Sequence, residues 1–392
     1  MRIQLIFAAA LVLFAAACNA AGTNQSVPST SAGSNLTQPA GDAASAGQVR
    51  PDVDHTSVLN ALKTQAVIGS TVDPTNGDQN PYGLVYVRSK PFGKGVLKQG
   101  DLVACNFNDK ANVQGNGTTV EYMTSTTGSS PKRLMQNAQL KGCASLVINS
   151  FDETFAAASG AKDATGINAG GKMVQTLKNS GLLVEPWGSA YVPSQTGYPP
   201  GDGLWVADAS SGKIVRINLG TGGKPTYTAV ISGFAVNKGV PGSILGPSGM
   251  QYNAKTDSLF VADGVTNTVV AIAHAYNDIF AANSIVVSAD GKTFSGPKAK
   301  DARLMYSGSP LNGPISSTLL PNGNLVLGNT LDPSGKNLLV EVATDGTLLA
   351  TKNVDTGAQG ALFGIASSGS SDANTQIFFN DDNANNVQVL ER

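Results

Sequence analysis

The chain has 392 residues, of which 45 are glycine and only 14% are charged. Many turn-forming residues with little charge are typical of short strands and tight loops, and they argue against a helical bundle. The net charge of −1 provides no basic surface for nucleic acid, so we expect none as a partner. The length allows two or three domains, or one large all-β domain.

Residues 1–18 resemble a bacterial export signal. Arg2 supplies the positive start, and residues 3–17 form an apolar run too short to span a bilayer comfortably. Residues 15–18 read Ala-Ala-Ala-Cys, similar to a lipobox, although the first alanine stands where leucine is usual. This resemblance implies lipidation of Cys18 and a cell-envelope lipoprotein, facing the periplasm or the surface. The alternative is ordinary signal cleavage two or three residues after Cys18.

Residues 19–57 contain mostly Ser, Gly, Ala, Thr, Asn and Gln. Such a segment cannot bury enough apolar surface to offset its ordering entropy, so we predict a disordered tether in which His55 is solvated. Residues 57–63 predict a short helix, a lid or a spacer, because Val58, Leu59 and Leu62 lie near one face. The folded domain is expected to span residues 58–392.

A repeated hairpin pattern organises this domain, and residues 258–272 carry its best copy, with two β-rich runs around Asp-Gly-Val-Thr-Asn. Similar strand-like runs end in a short polar group at residues 106, 159, 208, 263, 329 and 381, so the intervals are 53, 49, 55, 66 and 52. Compact four-stranded propeller repeats span ~40–45 residues, so this spacing predicts inserted loops.

Each run has a predicted strand on either side. In three repeats the preceding strand begins with a Pro-x-Gly turn, at Pro81, Pro186 and Pro247. The motif is less complete near Gly313 and Gly364. In the repeat that begins at Cys143, both the proline and the glycine are absent. The following strands are predicted at residues 118–123, 172–177, 213–218, 268–273, 338–343 and 387–392. Repeated sheets without a helical period predict an all-β, six-bladed β-propeller.

The two ends of the domain predict how the ring closes. The last blade stops at residue 392 without a fourth strand, whereas residues 65–72 form a strand that has no blade of its own. We therefore predict that this N-terminal strand completes the last blade and leaves no bare edge.

The hairpins resemble a known repeat. Residues 206–215, 261–269 and 379–387 are similar to the NHL repeat, which reads roughly V-A-D-x-x-x-N-x-I, and the resemblance extends over residues 65–392. It implies a six-bladed propeller and says little about activity. A more distant similarity to gluconolactonase-type propellers implies a calcium-dependent hydrolase that uses Glu, Asn and Asp residues at the channel mouth.

The first two strands of each blade are antiparallel, so the Pro-x-Gly turns and the polar groups should share one face of the disc, where a channel mouth is the default site. The candidate binding residues there are Tyr82, Asn106, Glu185, Trp187, Asp208, Asp263, Asn329, Asp381 and Asp382. The alternative for the Asp and Asn residues is that they cap their own turns. Turn capping explains Glu185 least well, because this residue stands just before Pro186 and Trp187, close to the axis.

The sequence lacks the residues that several other kinds of catalytic or binding site require. The only histidines are His55 and His274, so a histidine-based zinc centre is not expected. The sequence has no Gly-x-Ser-x-Gly elbow, phosphate loop or dinucleotide fingerprint. Cys105 and Cys143 either form a disulfide in an oxidising compartment or remain two buried thiols.

Two functions therefore remain open. The first is an envelope-tethered propeller that binds or scaffolds an unknown protein or small molecule, with no cofactor and with the membrane contacted only through its lipid anchor. The second is a calcium-dependent hydrolase or lyase that acts on a small lactone-like molecule. Convergence of Glu185 with Asp208, Asp263 or Asn329 would favour the second function.

Overall fold

The computed structural model describes residues 53–91, 95–179, 181–193, 202–219, 224–276, 279 and 281–392. The predicted signal, Cys18 and most of the predicted tether lie outside these residues. Blade one contains β2 (Gln79–Tyr86), β3 (Asp101–Asn108), β4 (Thr119–Thr124) and β5 (Lys132–Gln136). Blade two contains β6 (Cys143–Ile148), β7 (Thr154–Ala158), β8 (Asp163–Ile167) and β9 (Met173–Lys178). Blade three contains β10 (Pro186–Val192), β11 (Gly203–Asp208), β12 (Lys213–Asn218) and β13 (Thr226–Ser232).

Blade four contains β14 (Pro247–Asn253), β15 (Ser258–Asp263), β16 (Thr268–Ala273) and β19 (Ala302–Ser307), and blade five contains β20 (Pro314–Leu319), β21 (Leu325–Asn329), β22 (Asn337–Val342) and β23 (Leu348–Asp355). Blade six contains β24 (Ile365–Ser367), β25 (Ile377–Asp381), β26 (Asn386–Glu391) and β1 (Thr64–Ser70). Two short strands, β17 (Ile285–Val287) and β18 (Phe294–Ser295), lie between β16 and β19 in the chain. The described residues also include 3-10 helices at Leu59–Ala61, Ala138–Leu140, Ala299–Asp301 and Asp372–Asn374.

The six sheets form a closed ring. The first strand of each blade contacts its counterpart in the next blade, in the order β2, β6, β10, β14, β20, β24 and back to β2. Apolar side chains from facing sheets fill the spaces between blades, and Trp205 is fully buried there with Val261 of the next blade. The chain is therefore the all-β, six-bladed propeller that the repeat predicts.

The Pro-x-Gly glycines have a packing role that the sequence does not reveal. A side chain at Gly188 would collide with the carbonyl of Ser248 on the neighbouring inner strand, and one at Gly364 would collide with the carbonyl of Tyr82. Neither glycine has a positive φ. Glycine is thus required here by the close approach of the blades around the axis, and not by a tight turn.

Blade two differs from the prediction. The strand expected third, at residues 172–177, is the fourth strand, β9, and the third strand is β8. The five residues of β8 read Asp-Ala-Thr-Gly-Ile, and this short run consists mostly of small residues, which give little strand signal.

The long interval between residues 263 and 329 contains two extra strands, β17 and β18. They extend the sheet of blade three, because β17 pairs in parallel with β13.

Ring closure follows the prediction. β1 pairs with β26 in antiparallel register, from Thr64 opposite Glu391 to Ser70 opposite Asn386, with an irregularity between Val67 and Gly69. It becomes the fourth strand of the sheet β1-β26-β25-β24. The first and last strands of the domain therefore belong to one blade.

The segment before β1 packs against blade five. In place of the predicted helix there is one 3-10 turn, Leu59–Ala61, which contacts β23. Buried Glu341 accepts hydrogen bonds from the backbone N–H groups of Val58 (3.0 Å) and Leu59 (2.8 Å). His55 is half exposed, and its Nε2 lies 2.8 Å from Asp345 Oδ2. Val58, Leu59 and Leu62 are buried in the apolar cluster between blades five and six, so the segment is part of the folded domain.

Cys105 and Cys143 form a disulfide, which decides between the two alternatives left open by the sequence. It joins the second strand of blade one to the first strand of blade two. Across the ranges described above, no helix has the length and apolar character needed to cross a membrane.

Candidate functional site

The Pro-x-Gly turns and the polar groups share one edge of the ring, as predicted. Strand pairing places Pro81 opposite Asn106, Pro186 opposite Asp208, Pro247 opposite Asp263 and Pro314 opposite Asn329. We call this the turn edge. The question is whether these side chains face the channel or their own backbone.

Asp208 bonds both to its own turn, through the N–H of Ser211, and to the loop before β10, whereas Asp263 bonds to its own turn. The Oδ2 atom of Asp208 accepts hydrogen bonds from the backbone N–H groups of Val184 (2.6 Å) and Glu185 (2.7 Å). Asp263 accepts one from the N–H of Val265 and one from the hydroxyl of Thr266, both at 2.9 Å. Both carboxylates are fully buried, and they satisfy donors that the tight turns would otherwise leave unpaired.

The asparagines have similar structural contacts. Asn329 accepts from the N–H of Asn312 (3.1 Å) and donates to the carbonyl of Pro310 (2.6 Å). The Nδ2 of Asn106 donates to the carbonyl of Thr71, just after the closing strand, at 2.9 Å. These bonds fix loops at the turn edge.

The acidic residues of blade six lie close together. Asp381 accepts from the backbone N–H of Ala384 (3.1 Å) and from the side chain of Gln388. Burial and, next, the neighbouring Asp381 carboxylate raise the pKa of Asp382 well above its usual range. Glu185 is half-buried, and burial followed by the nearby Asp208 carboxylate raises its pKa. In the part of the chain that the structure describes, no three His, Cys, Asp or Glu side chains form a metal-binding group.

Aromatic rings fill the axis at the turn edge. The ring of Tyr82 is stacked between Phe107, at a centroid distance of 4.1 Å, and Phe363, at 3.6 Å. Trp187 lies against both Tyr82 and Phe107, and all four side chains are buried. We call this group the aromatic plug. Two candidate residues, Tyr82 and Trp187, are thus in contact, but they occupy the axis as core.

The channel is open at the opposite end of the inner strands. A cavity of about 350 Å³ lies there, and we call it the channel cavity. Its polar lining residues are Tyr86, Arg88, Ser89, Asn149, Asp152, Ser189, Tyr191, Gln251, Tyr252, Thr318 and Ser367. A narrower space of about 60 Å³, which reaches Tyr82 and Trp187, separates it from the plug. None of the sequence-predicted site residues lines the channel cavity.

Arg88 lies on the rim of the channel cavity. Its Nη2 donates to the carbonyl (2.7 Å) and hydroxyl (2.8 Å) oxygens of Ser367 in blade six, and its Nη1 lies 3.5 Å from the carbonyl oxygen of Gly369. All three acceptors are neutral. The guanidinium therefore links blade one to blade six and keeps its charge at the cavity rim.

Two tyrosines, Tyr191 and Tyr252, line the same space. Burial raises the pKa of both Tyr191 and Tyr252, so both phenols are neutral at physiological pH. The hydroxyl of Tyr252 donates to Asp257 Oδ1 at 2.9 Å. Asp152 also lines the cavity and accepts a hydrogen bond from the hydroxyl of Ser89, the residue after Arg88, at 2.8 Å. The cavity thus offers one cation, one carboxylate and several neutral groups.

A groove of about 600 Å³ continues from the cavity on the same face. It shares Arg88, Gln251 and Tyr252 with the cavity, and Val53 and Asp54 of the N-terminal segment line its far side. The sequence carries one signal for this site that the repeat analysis does not use: Arg88 follows β2, and the four residues before it are apolar or aromatic.

Comparisons with known proteins agree on the architecture. No protein-family model and no curated protein matches the chain. A solved gluconolactonase from Xanthomonas campestris does match, at 12% identity and a TM-score of 0.50, covering 80% of this chain and 87% of that one. The chain shares the fold of the gluconolactonase-type propellers.

Two further solved structures match the chain. A chain of a nidogen–laminin complex has 14% identity and a TM-score of 0.50, and the match covers 75% of this chain and 87% of that one. Virginiamycin B lyase from Staphylococcus aureus has 13% identity and a TM-score of 0.45, over 84% of this chain and 98% of that one. Because the identities are this low, the likeness shows the fold alone.

Proposed function

We propose that the domain is a binding protein that takes a small ligand into the channel cavity and carries out no catalysis. The observation that supports this proposal is an open cavity of about 350 Å³, lined by hydroxyl, amide and charged groups over an aliphatic floor. Ligand pockets are usually ~300–1,000 Å³ and combine apolar walls with a few polar groups, which is the composition found here.

The calcium-dependent alternative lacks a comparable observation. It requires carboxylate and amide oxygens that converge on one point, because calcium takes six to eight oxygen ligands. At the turn edge, the Asp208, Asp263 and Asn329 side chains hydrogen-bond to groups in and around their turns. Binding is therefore the function that the described geometry supports best.

The cellular setting in this proposal is the bacterial envelope, with the chain exported and anchored through a lipid on Cys18. The N-terminal segment enters the domain beside the groove, where the carbonyl of Thr56 lies 3.4 Å from the side-chain nitrogens of both Asn322 and Asn324. Mass spectrometry of the mature N-terminus tests the anchor. A lipid-modified Cys18 is expected, and an unmodified start at residue 21 or 22 would contradict it.

Blocking the cavity tests the binding function. Gln251 borders the cavity, its narrow inner end and the groove, so we expect Gln251→Trp to fill the route that they share. A screen of polar fragments by ligand-observed NMR should give hits for the wild-type protein that disappear in this variant. Thr351→Trp, at an exposed position on β23, is the matched control and should keep the hits. Hits that persist in Gln251→Trp, or no hits at all, would overturn the proposal.

A further inference from the structure

The channel cavity holds a cation without a carboxylate partner. Among the described residues, the ion pairs involve His55, Arg133, Lys178 and His274, and Arg88 takes part in none of them. Its acceptors are instead two carbonyl oxygens and one hydroxyl oxygen. A guanidinium remains charged at all physiological pH values. The rim therefore carries a positive charge that the described protein groups do not neutralise by direct contact.

The orientation of this guanidinium suits an incoming anion. Two bonds to Ser367 engage Nη2, and Nη1 has one long contact to Gly369. A guanidinium has five N–H donors in a planar fork, so Nε and part of Nη1 remain available. Because Ser367 fixes the fork, an anion would meet a donor pair that has already lost much of its rotational freedom.

The surroundings restrict the rest of the ligand. Below the rim, the cavity is lined by Leu84, Leu146, Met250 and Ile365, so the body of the ligand should be apolar. Asp152 also lines the cavity and is nearly fully buried. The carboxylate of Asp152 is engaged by the hydroxyl of Ser89, so Arg88 is the charged group of the cavity that suits an anionic head.

We propose that the channel cavity selects a small monocarboxylate, whose anionic head binds Arg88 and whose apolar body lies among the inner-strand side chains. This inference rests on the proposed binding function and names its ligand class. Carboxylate–guanidinium pairs are charge-assisted and often bidentate, so the head should account for most of the selectivity. Neutral molecules of the same shape should bind more weakly.

Pairs of probes that differ only in charge test the inference. Phenylacetate is compared with phenylacetamide, and hexanoate with hexanamide, by titration in ligand-observed NMR. Each carboxylate should bind the wild-type protein about 10-fold or more tightly than its amide. Arg88→Gln should remove this preference, and Arg88→Lys should keep part of it. Lys300→Gln, which removes an exposed charge elsewhere, should change neither affinity.

The outcomes separate the two proposals. If each amide binds as tightly as its carboxylate, or if Arg88→Gln keeps the preference, the carboxylate inference is wrong and cavity binding stands. If no carboxylate binds, the inference is also wrong, while the fragment screen with Gln251→Trp decides the binding function. Retained amide binding in Arg88→Gln would show that this variant is still folded.

Discussion

Among single residues, Glu121 carries the clearest electrostatic signature. It lies on β4 opposite Arg133, and its side chain is fully buried. Burial and the adjacent Asp73 carboxylate raise the pKa of Glu121 to about 9. Burial also acts to raise the pKa of Asp73, but hydrogen bonds from Arg133, from Glu121 and from the backbone N–H groups of Asn76 and Thr75 together outweigh it and hold that pKa well below the usual range. Glu121 is therefore the protonated member of this cluster at neutral pH.

We predict that Glu121→Gln stabilises the protein at alkaline pH. The folded-state pKa is raised above the unfolded value of 4.5, so the folded chain holds a proton that the unfolded chain releases. Wild-type stability should therefore fall as the pH rises from about 4.5 to about 9, whereas the variant has no such proton to release. The gain should reach roughly 2–4 kcal/mol at pH 8.

Denaturant unfolding at pH 4, 6 and 8 measures this effect. The two proteins should be similar at pH 4 and diverge as the pH rises. Glu391→Gln, at a half-buried glutamate on β26, should not diverge from the wild-type protein. A pH-independent difference between Glu121→Gln and the wild-type protein would contradict the assignment of the proton to Glu121.

The residue scale also shows where sequence reasoning about the site reaches its limit. The turn motif correctly places Asp208 and Asp263 at one edge, because antiparallel pairing fixes that position. It cannot fix the direction of the side chains, which depends on which turn N–H groups need an acceptor. The channel cavity was not predicted, because Arg88 lies just after β2 and Tyr191 lies near the end of β10, where the repeat has no motif.

At the scale of elements, the hairpins were the most predictable part. Two predicted strands, at residues 213–218 and 268–273, have the observed bounds, since alternation and turn residues agree there. The short β8 was missed, and its role was given to β9. The local sequence pattern does not identify a buried strand made of small residues, because tertiary packing then decides whether the segment forms a strand.

The disulfide is a covalent link between strands of two neighbouring blades. Cys105 and Cys143 are separated by 38 residues in sequence, so the bond closes a loop that includes the outer strands of blade one. We predict that replacing both cysteines by alanine lowers the free energy of unfolding by about 2–4 kcal/mol, chiefly through the greater freedom of the unfolded chain. Urea unfolding of the oxidised protein and the double variant measures the difference.

Reduction provides the control for this prediction. Dithiothreitol should destabilise the wild-type protein by a similar amount and leave the double variant unchanged. If reduction has no effect on the wild-type unfolding midpoint, the cysteines are not paired in solution. Since β3 and β6 also pack together around these residues, part of the loss in the double variant comes from their smaller side chains.

For the molecule as a whole, the ends of the channel differ in kind. At the turn edge the aromatic plug fills the axis, and at the opposite end the channel cavity is open. The number of blades and the closing strand were predictable, because the repeat count and the missing fourth strand leave few alternatives. Which end of the channel stays open was not predictable from the sequence. It depends on the sizes of side chains from separate blades, and these meet only in the folded ring.

The closing strand makes ring closure testable without deleting any residue. In β1, Ile68 is buried between the last blade and the first, whereas Val67 next to it is half exposed. We predict that Ile68→Ala lowers the free energy of unfolding by about 2–4 kcal/mol, because it leaves a cavity in the joint that holds the ring together. Val67→Ala is the matched control and should cost about 0.5 kcal/mol or less. Thermal and urea unfolding of both variants measure the difference, and equal losses would mean that β1 does not close the ring in solution.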